Sequence, residues 1–172
     1  LDVADYDSLI GDSNVIPKMT KYIACYILDE NTDKRELIEV VSSELDAQPY
    51  YLNEKIINNK YVNLSVEEWL DGYRHADFVI VDSFHGCVFS ILFKKQFIVY
   101  ANRSRGIARF ESLLGLFDLE SRMISSLEEF RTRKADLFTT IDYNSVHAKL
   151  DELRKDSLSF LLRALSSEKN GC

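Results

Sequence analysis

The chain has 172 residues, is 46% apolar and 12% aromatic, and carries a formal net charge of −7. That length suits one domain with a real core and is short for two, and the apolar content excludes a disordered chain. The acidic balance argues against a nucleic-acid-binding surface, although a local basic cluster can still hold a small anion within an acidic protein.

The chain opens with LDVADYDSLI, without an initiator methionine or a secretory pattern, and reads as a piece cut from something longer. Tyr22 to Leu28 (YIACYIL) is a short apolar run between polar residues, as expected of a buried parallel strand. Asp33 with Glu36 forms a capping-box pattern for a helix carrying Leu37, Val41 and Leu45. A short strand is expected near Pro49 to Leu52, and the polar segment Asn53 to Lys60, with Asn58-Asn59, reads as a loop.

Ser65 and Glu68 repeat the capping box, and Val66, Trp69, Leu70 and Tyr73 follow as an amphipathic stripe. Phe78 to Val81 is the next buried strand. The helix over Gly86 to Phe93 is apolar nearly all round, which predicts burial. Phe97 to Tyr100 is another strand, and Ile107, Phe110, Leu114 and Phe117 give a further helical stripe. Ser126 with Glu129 starts a short helix, and a long leucine-lined helix occupies 144–166. The order β-α-β-α-β-α-β-α-α predicts an α/β fold: a Rossmann-like parallel sheet with helices on both faces. Only two prolines and six glycines interrupt it, without a linker or repeat, so 1–172 reads as a single domain.

Cys25, Cys87 and Cys172 lie far apart without a CxxC pair, which fits a reducing compartment such as the cytoplasm and gives no metal or disulfide framework. Cys25 and Cys87 sit in apolar runs, as small core residues do. No apolar run approaches the roughly 20 residues of a membrane helix, so no transmembrane segment is expected.

Two strand-to-helix loops carry chemistry, and in open α/β sheets ligands bind where such loops converge. In Asp82-Ser83-Phe84-His85-Gly86, the glycine permits a tight turn and the helix behind it presents free N–H groups to an anion. His85 can donate a proton or bond a phosphate there, and Asp82 can hold its imidazole or cap the helix. In Asn102 to Arg109 (NRSRGIAR), a helix starting near Gly106 brings Arg105 and Arg109 toward one ligand, with guanidinium forks that match carboxylates and phosphates. The competing reading is a capped helix with a solvent-facing histidine and ordinary surface arginines. His75 and His147 fall on helices without evident partners.

The ordered blocks SVEEWL, ADFVIVDSFHG, FSILFKKQFI and N-x-x-RG-x-x-RF followed by SLL, between Ser65 and Met123, resemble the polysaccharide pyruvyl transferase family. Ser83 stands where some members have arginine, Gln96 replaces a frequent proline, and Arg103 is not a motif position. The resemblance implies one half of a GT-B-like two-domain enzyme, its C-terminal half, with 1–20 near the interdomain hinge. A missing N-terminal domain would complete the site, and the long final helix would pack partly against it. It also implies transfer of pyruvate from phosphoenolpyruvate to a saccharide acceptor as a ketal. His85 and Asp82 would be catalytic, and Ser83, Gly86, Asn102, Arg103, Arg105 and Arg109 would bind substrate. Phosphoenolpyruvate is the co-substrate, and the scheme requires no metal or other cofactor. A nucleotide-sugar glycosyltransferase and a non-catalytic partner-binding domain are the alternatives. In either enzymatic case the fragment alone is expected to be inactive.

Overall fold

In the computed structural model, which describes residues 3–10, 21–101 and 106–167, runs rich in β-branched and aromatic residues form the strands, as such side chains favour a pleated surface. After helix α1 (Val3–Ile10) come strand β1 (Tyr22–Tyr26), helix α2 (Thr32–Leu45) and strand β2 (Gln48–Tyr51). Strands β3 (Glu54–Ile57) and β4 (Lys60–Asn63) precede helix α3 (Val66–Arg74). Then follow β5 (Phe78–Val81), α4 (Phe84–Leu92), β6 (Gln96–Tyr100), α5 (Ile107–Gly115), β7 (Met123–Ile124) and α6 (Leu127–Leu137). All of these belong to one unit, Leu1–Thr139, and helix α7 (Tyr143–Ser167) belongs to a second, Thr140–Cys172.

The main sheet runs β2-β1-β5-β6-β7, and every pairing within it is parallel. It is the Rossmann-like α/β sheet that the sequence predicts. On one face Ile23, Cys25, Ile80 and Ile98 pack against Leu37 and Val41 of α2 and Phe130 and Leu137 of α6. The other face of the strands meets α3 and α4, where the rings of Trp69, Tyr73 and Phe89 cluster and Tyr6 of α1 closes on Phe89 at 5.4 Å. Because β1 leads outward to β2 and the chain then returns to β5 on its other side, the order reverses between β1 and β5. The carboxyl ends of those two strands form the crevice where ligands of such sheets bind.

Four features differ from the expectations. Strand β1 ends at Tyr26 rather than Leu28, because the Asn53 amide pairs with the Ile27 backbone: Oδ1 accepts from the Ile27 N–H at 3.3 Å and Nδ2 donates to its carbonyl at 2.7 Å. Helix α2 is capped by Asn31, whose side chain accepts from the Lys34 N–H at 2.9 Å, and not by Asp33. The segment read as a loop is a two-stranded antiparallel hairpin, β3–β4. Asn58 and Asn59 form its turn with φ of 51° and 60°, a left-handed pair that asparagine tolerates better than other non-glycine residues. Strand β7 is only two residues long and adds to the sheet edge through Val99↔Met123 and Tyr100↔Ile124. The Ser65–Glu68 capping box and the Ser126 cap are present as expected. In the α3 stripe Leu70 and Tyr73 are buried, whereas Val66 is exposed.

Candidate active site

The carboxyl edges of β5 and β6 position the residues singled out in the sequence. Asp82 follows β5 directly, and its side chain is 2% exposed. One oxygen accepts the Leu28 N–H at 2.7 Å; the other accepts the Asp29 N–H at 3.0 Å and the Lys34 ammonium at 2.7 Å. Lys34 also donates to the Asp29 carbonyl at 2.6 Å and lies 5.3 Å from the centre of the Tyr100 ring. Asp82 therefore fastens the loop after β1 to the loop after β5, across the point where strand order reverses. It neither caps α4 nor holds the His85 imidazole, the two roles expected of it, because both oxygens are occupied by the β1 loop and Lys34.

Helix α4 begins at Phe84, so Phe84, His85 and Gly86 form its first turn rather than a bend before it. Ser83 is the N-cap residue and is buried, but its hydroxyl makes no capping bond. Among the described residues the first N–H to find a partner is that of Cys87, which donates to the Ser83 carbonyl at 3.0 Å. The N–H groups ahead of it point out of the helix start with the positive end of the helix dipole behind them. His85 stands exposed in this turn, its ring 6.2 Å from that of Phe84. Its ring nitrogens have no hydrogen-bond partner among the described residues.

Gly86 has a purpose other than the expected tight turn. Its φ is ordinary, but an added Cβ would lie 2.8 Å from Val81 Cγ1 and 3.0 Å from the Tyr73 hydroxyl. Only glycine lets the start of α4 settle this closely on β5 and α3. The one left-handed glycine among the described residues is Gly106, with φ of 76°, at the N-cap of α5. Helix α5 also lacks a side-chain cap. The Arg109 guanidinium folds back toward Gly106 and lies 5.5 Å from the centre of the Phe84 ring. His85 and Arg109 thus flank one aromatic side chain, at two neighbouring uncapped helix starts. Asn102, Arg103 and Arg105 lie outside the described residues.

Phe84 and Arg109 also line an open cavity of about 400 Å³ that extends along α5 to Leu116. A second cavity, of about 440 Å³, opens between the β3–β4 hairpin, the start of α3 and the carboxyl ends of β1 and β2. Sequence reading missed it because the hairpin that forms one wall looked like a loop. Cys25 and Cys87 are fully buried, and burial pushes both thiols up to about 12, which suits core residues and not nucleophiles. His75 does have a partner, the Asp71 carboxylate 3.1 Å from its Nδ1, and the His147 ring meets that of Tyr143 edge-on. No helix among the described residues is long and apolar enough to cross a membrane.

No curated protein matches the chain. No solved structure matches it either. One family model does, over residues 5–104: it covers Asp82, Ser83, His85 and Gly86 and stops before Arg105 and Arg109. That match takes in more than half of the sequence, including the whole loop between β5 and α4, and the chain belongs to the polysaccharide pyruvyl transferase family.

Proposed function

We propose that this chain carries the phosphoenolpyruvate-binding half of an enzyme that builds pyruvyl ketals on a saccharide. The observation that carries the reading is the bare start of α4, with Ser83 unengaged, His85 in the first turn and Arg109 beside it at the bare start of α5. Phosphoenolpyruvate presents a carboxylate and a phosphate a few ångströms apart. Two adjacent helix starts and a guanidinium are suited to that double anion. Asn102, Arg103 and Arg105 precede α5 in the sequence, and Arg105 is the second cation we assign to the donor.

The reaction then needs one proton donor at the donor's enol end, and His85 is exposed there and has no hydrogen-bond partner among the described residues. A proton adds to the methylene carbon and a first sugar hydroxyl attacks C2, giving a tetrahedral phosphate adduct. A second hydroxyl displaces phosphate by breaking the C2–O bond, which closes the ketal. The two hydroxyl protons balance the one taken up by carbon and the one that leaves with phosphate. Asp82 and Lys34 act behind this surface, fixing the loop that carries Ser83 and His85.

The GT-B arrangement enters on the same footing. The residues near 1–20 would lead to a hinge, and an N-terminal domain would close over the rim. The exposed Leu158, Leu161, Leu162 and Leu165 of α7 are the surface we assign to contact with that domain. This chain alone would then show no turnover. We assign the reaction to the cytoplasm, a reading supported by two buried thiols and by a donor drawn from central metabolism. The test is phosphate release from phosphoenolpyruvate by the full-length protein with a panel of hexosides. Acceptor-dependent release supports the reading; no release, together with thermal stabilisation by a nucleotide sugar, overturns it.

A further inference from the structure

The cavity beside the hairpin has a chemistry opposite to that of the anion rim. Its walls are the aromatic rings of Tyr26 and Trp69, the aliphatic Leu28 and Leu52, and the polar Glu54 and Asn63. Among the described residues no lysine, arginine or histidine lines it. A carboxylate in a lining that holds no cation disfavours phosphate and carboxylate ligands, so neither phosphoenolpyruvate nor a nucleotide diphosphate suits this space. We infer that it binds a neutral sugar ring and serves as the acceptor subsite of the pyruvyl transfer proposed above, a role that rests on that proposal.

Three observations carry the assignment. Glu54 and Asn63 are cross-strand partners in the hairpin, so their side chains project from the same face side by side. Neither makes a hydrogen bond or ion pair with another described residue. A carboxylate next to an amide offers acceptors and a donor to the hydroxyls of one sugar ring. The Tyr26 hydroxyl is likewise without a partner, and its ring meets that of Trp69 edge-on at 5.2 Å. Such a corner gives the C–H face of a pyranose an apolar surface beside polar groups. The volume, about 440 Å³, lies within the range of small-molecule sites.

The position also suits an acceptor. The Tyr26 carbonyl accepts the Asp82 N–H at 3.2 Å, and the Leu28 N–H donates to the Asp82 carboxylate at 2.7 Å. The cavity wall is therefore bonded directly to the loop that carries His85 three residues later. A ring held by Glu54 and Asn63 stands one loop away from the proposed donor site, on the same edge of the sheet.

Trp69 is the only tryptophan of the chain, so its fluorescence reports on this cavity in the 172-residue protein. Methyl hexopyranosides and N-acetylhexosamines would be titrated, with phosphoenolpyruvate and uridine diphosphate as counter-probes. The expected result is a saturable millimolar change with at least one sugar. Asn63→Ala and Glu54→Gln should each weaken it about tenfold, the size of one hydrogen bond, and His85→Ala should leave it intact. No saturable response to any sugar, a response that both hairpin substitutions leave unchanged, or displacement of the sugar by either counter-probe overturns the assignment. Sugar binding by this chain, with a full-length protein that consumes no phosphoenolpyruvate in the presence of any acceptor, sinks the pyruvyl-transfer reading and leaves the sugar site standing. Consumption without binding does the reverse.

Discussion

Helices α2 and α4 start at the same edge of the sheet, after the adjacent strands β1 and β5, and their first turns are finished in opposite ways. Asn31 caps α2 with its own side chain, and Asp82 and Lys34 take up the polar groups of the loop before it. At α4 the acidic residue of the loop turns away toward β1, and the serine at the cap makes no bond. Helices α3 and α6, by contrast, carry working serine caps. A fold that caps α2, α3 and α6 with side chains has left bare the start that bears the family motif. The difference separates residues that hold the scaffold from residues left available to a ligand.

The largest effect expected from that division is on the available side. Replacing His85 with alanine should lower phosphate release from phosphoenolpyruvate by about 10²–10⁴, the usual worth of a positioned acid. The melting temperature should change little, since the ring is exposed and has no hydrogen-bond partner among the described residues. Unchanged turnover would remove His85 from the mechanism. On the scaffold side, Lys34→Met strands a buried carboxylate and should cost about 3–5 kcal/mol in urea unfolding. Adding Asp82→Asn should then cost less than the two single losses combined, because the substitutions act on one ion pair. Strict additivity would mean that the pair is not the staple described here.

Much of this arrangement was legible in the sequence. Three buried strands, the short strand near Pro49, the apolar helix after β5 and the Ser65–Glu68 box follow from periodicity and capping chemistry, which are local. The rest depends on contacts distant in sequence. Asp82 looked like a partner for its neighbour His85, but its partners are Lys34 and the N–H groups of Leu28 and Asp29. Gly86 looked like a turn residue, but the need for glycine comes from Val81 and Tyr73 pressing on it. The hairpin was hidden because Asn58-Asn59 marks a loop as readily as a left-handed turn. The β-branched and aromatic residues Ile56, Ile57, Tyr61 and Val62 on either side of that pair were the signal that could have found it. Strand β7, at two residues, is too short to leave a pattern.

Gly86→Ala tests the scaffold at the point where it meets the bare helix start. The added methyl overlaps Val81 and the Tyr73 hydroxyl, and a loss of about 1–3 kcal/mol is expected, the usual cost of overpacking. Gly115→Ala is the control, since its Cβ would find only Glu120 Oε1 at 3.4 Å, near an ordinary contact. Equal melting temperatures for the two variants would show that α4 is not pressed against β5.

The capped starts should respond less. Ser65→Ala is expected to cost about 1 kcal/mol. The bonds from Lys55 and the Ser65 N–H hold the Glu68 carboxyl below the ordinary carboxylate range. The unfolded chain therefore binds a proton there before the folded one does. The stability this contributes is fully present above the ordinary carboxylate pKa and is lost as pH falls through the lower folded value. Denaturant titrations down the acid limb should show a shallower decline for Glu68→Gln than for the native chain. Identical slopes would mean the capping box carries no proton linkage.

Ser83→Ala is the smallest expected change in stability and the sharpest test of the contrast. Ser83 occupies the position that Ser65 holds in α3 and Ser126 in α6, and its side chain is buried. Judged from sequence and burial, it should be worth as much as they are. Because its hydroxyl caps nothing, removal should alter unfolding by less than about 0.5 kcal/mol, as substitutions outside any specific interaction do. The same change should raise the KM for phosphoenolpyruvate about threefold to tenfold, the contribution of one hydrogen bond to the bound anion. A stability loss as large as that of Ser65→Ala would show that Ser83 does cap α4, and the start of that helix would not be vacant for a ligand. A neutral melting temperature with a raised KM assigns the hydroxyl to the donor, because no protein group is then left for it to serve.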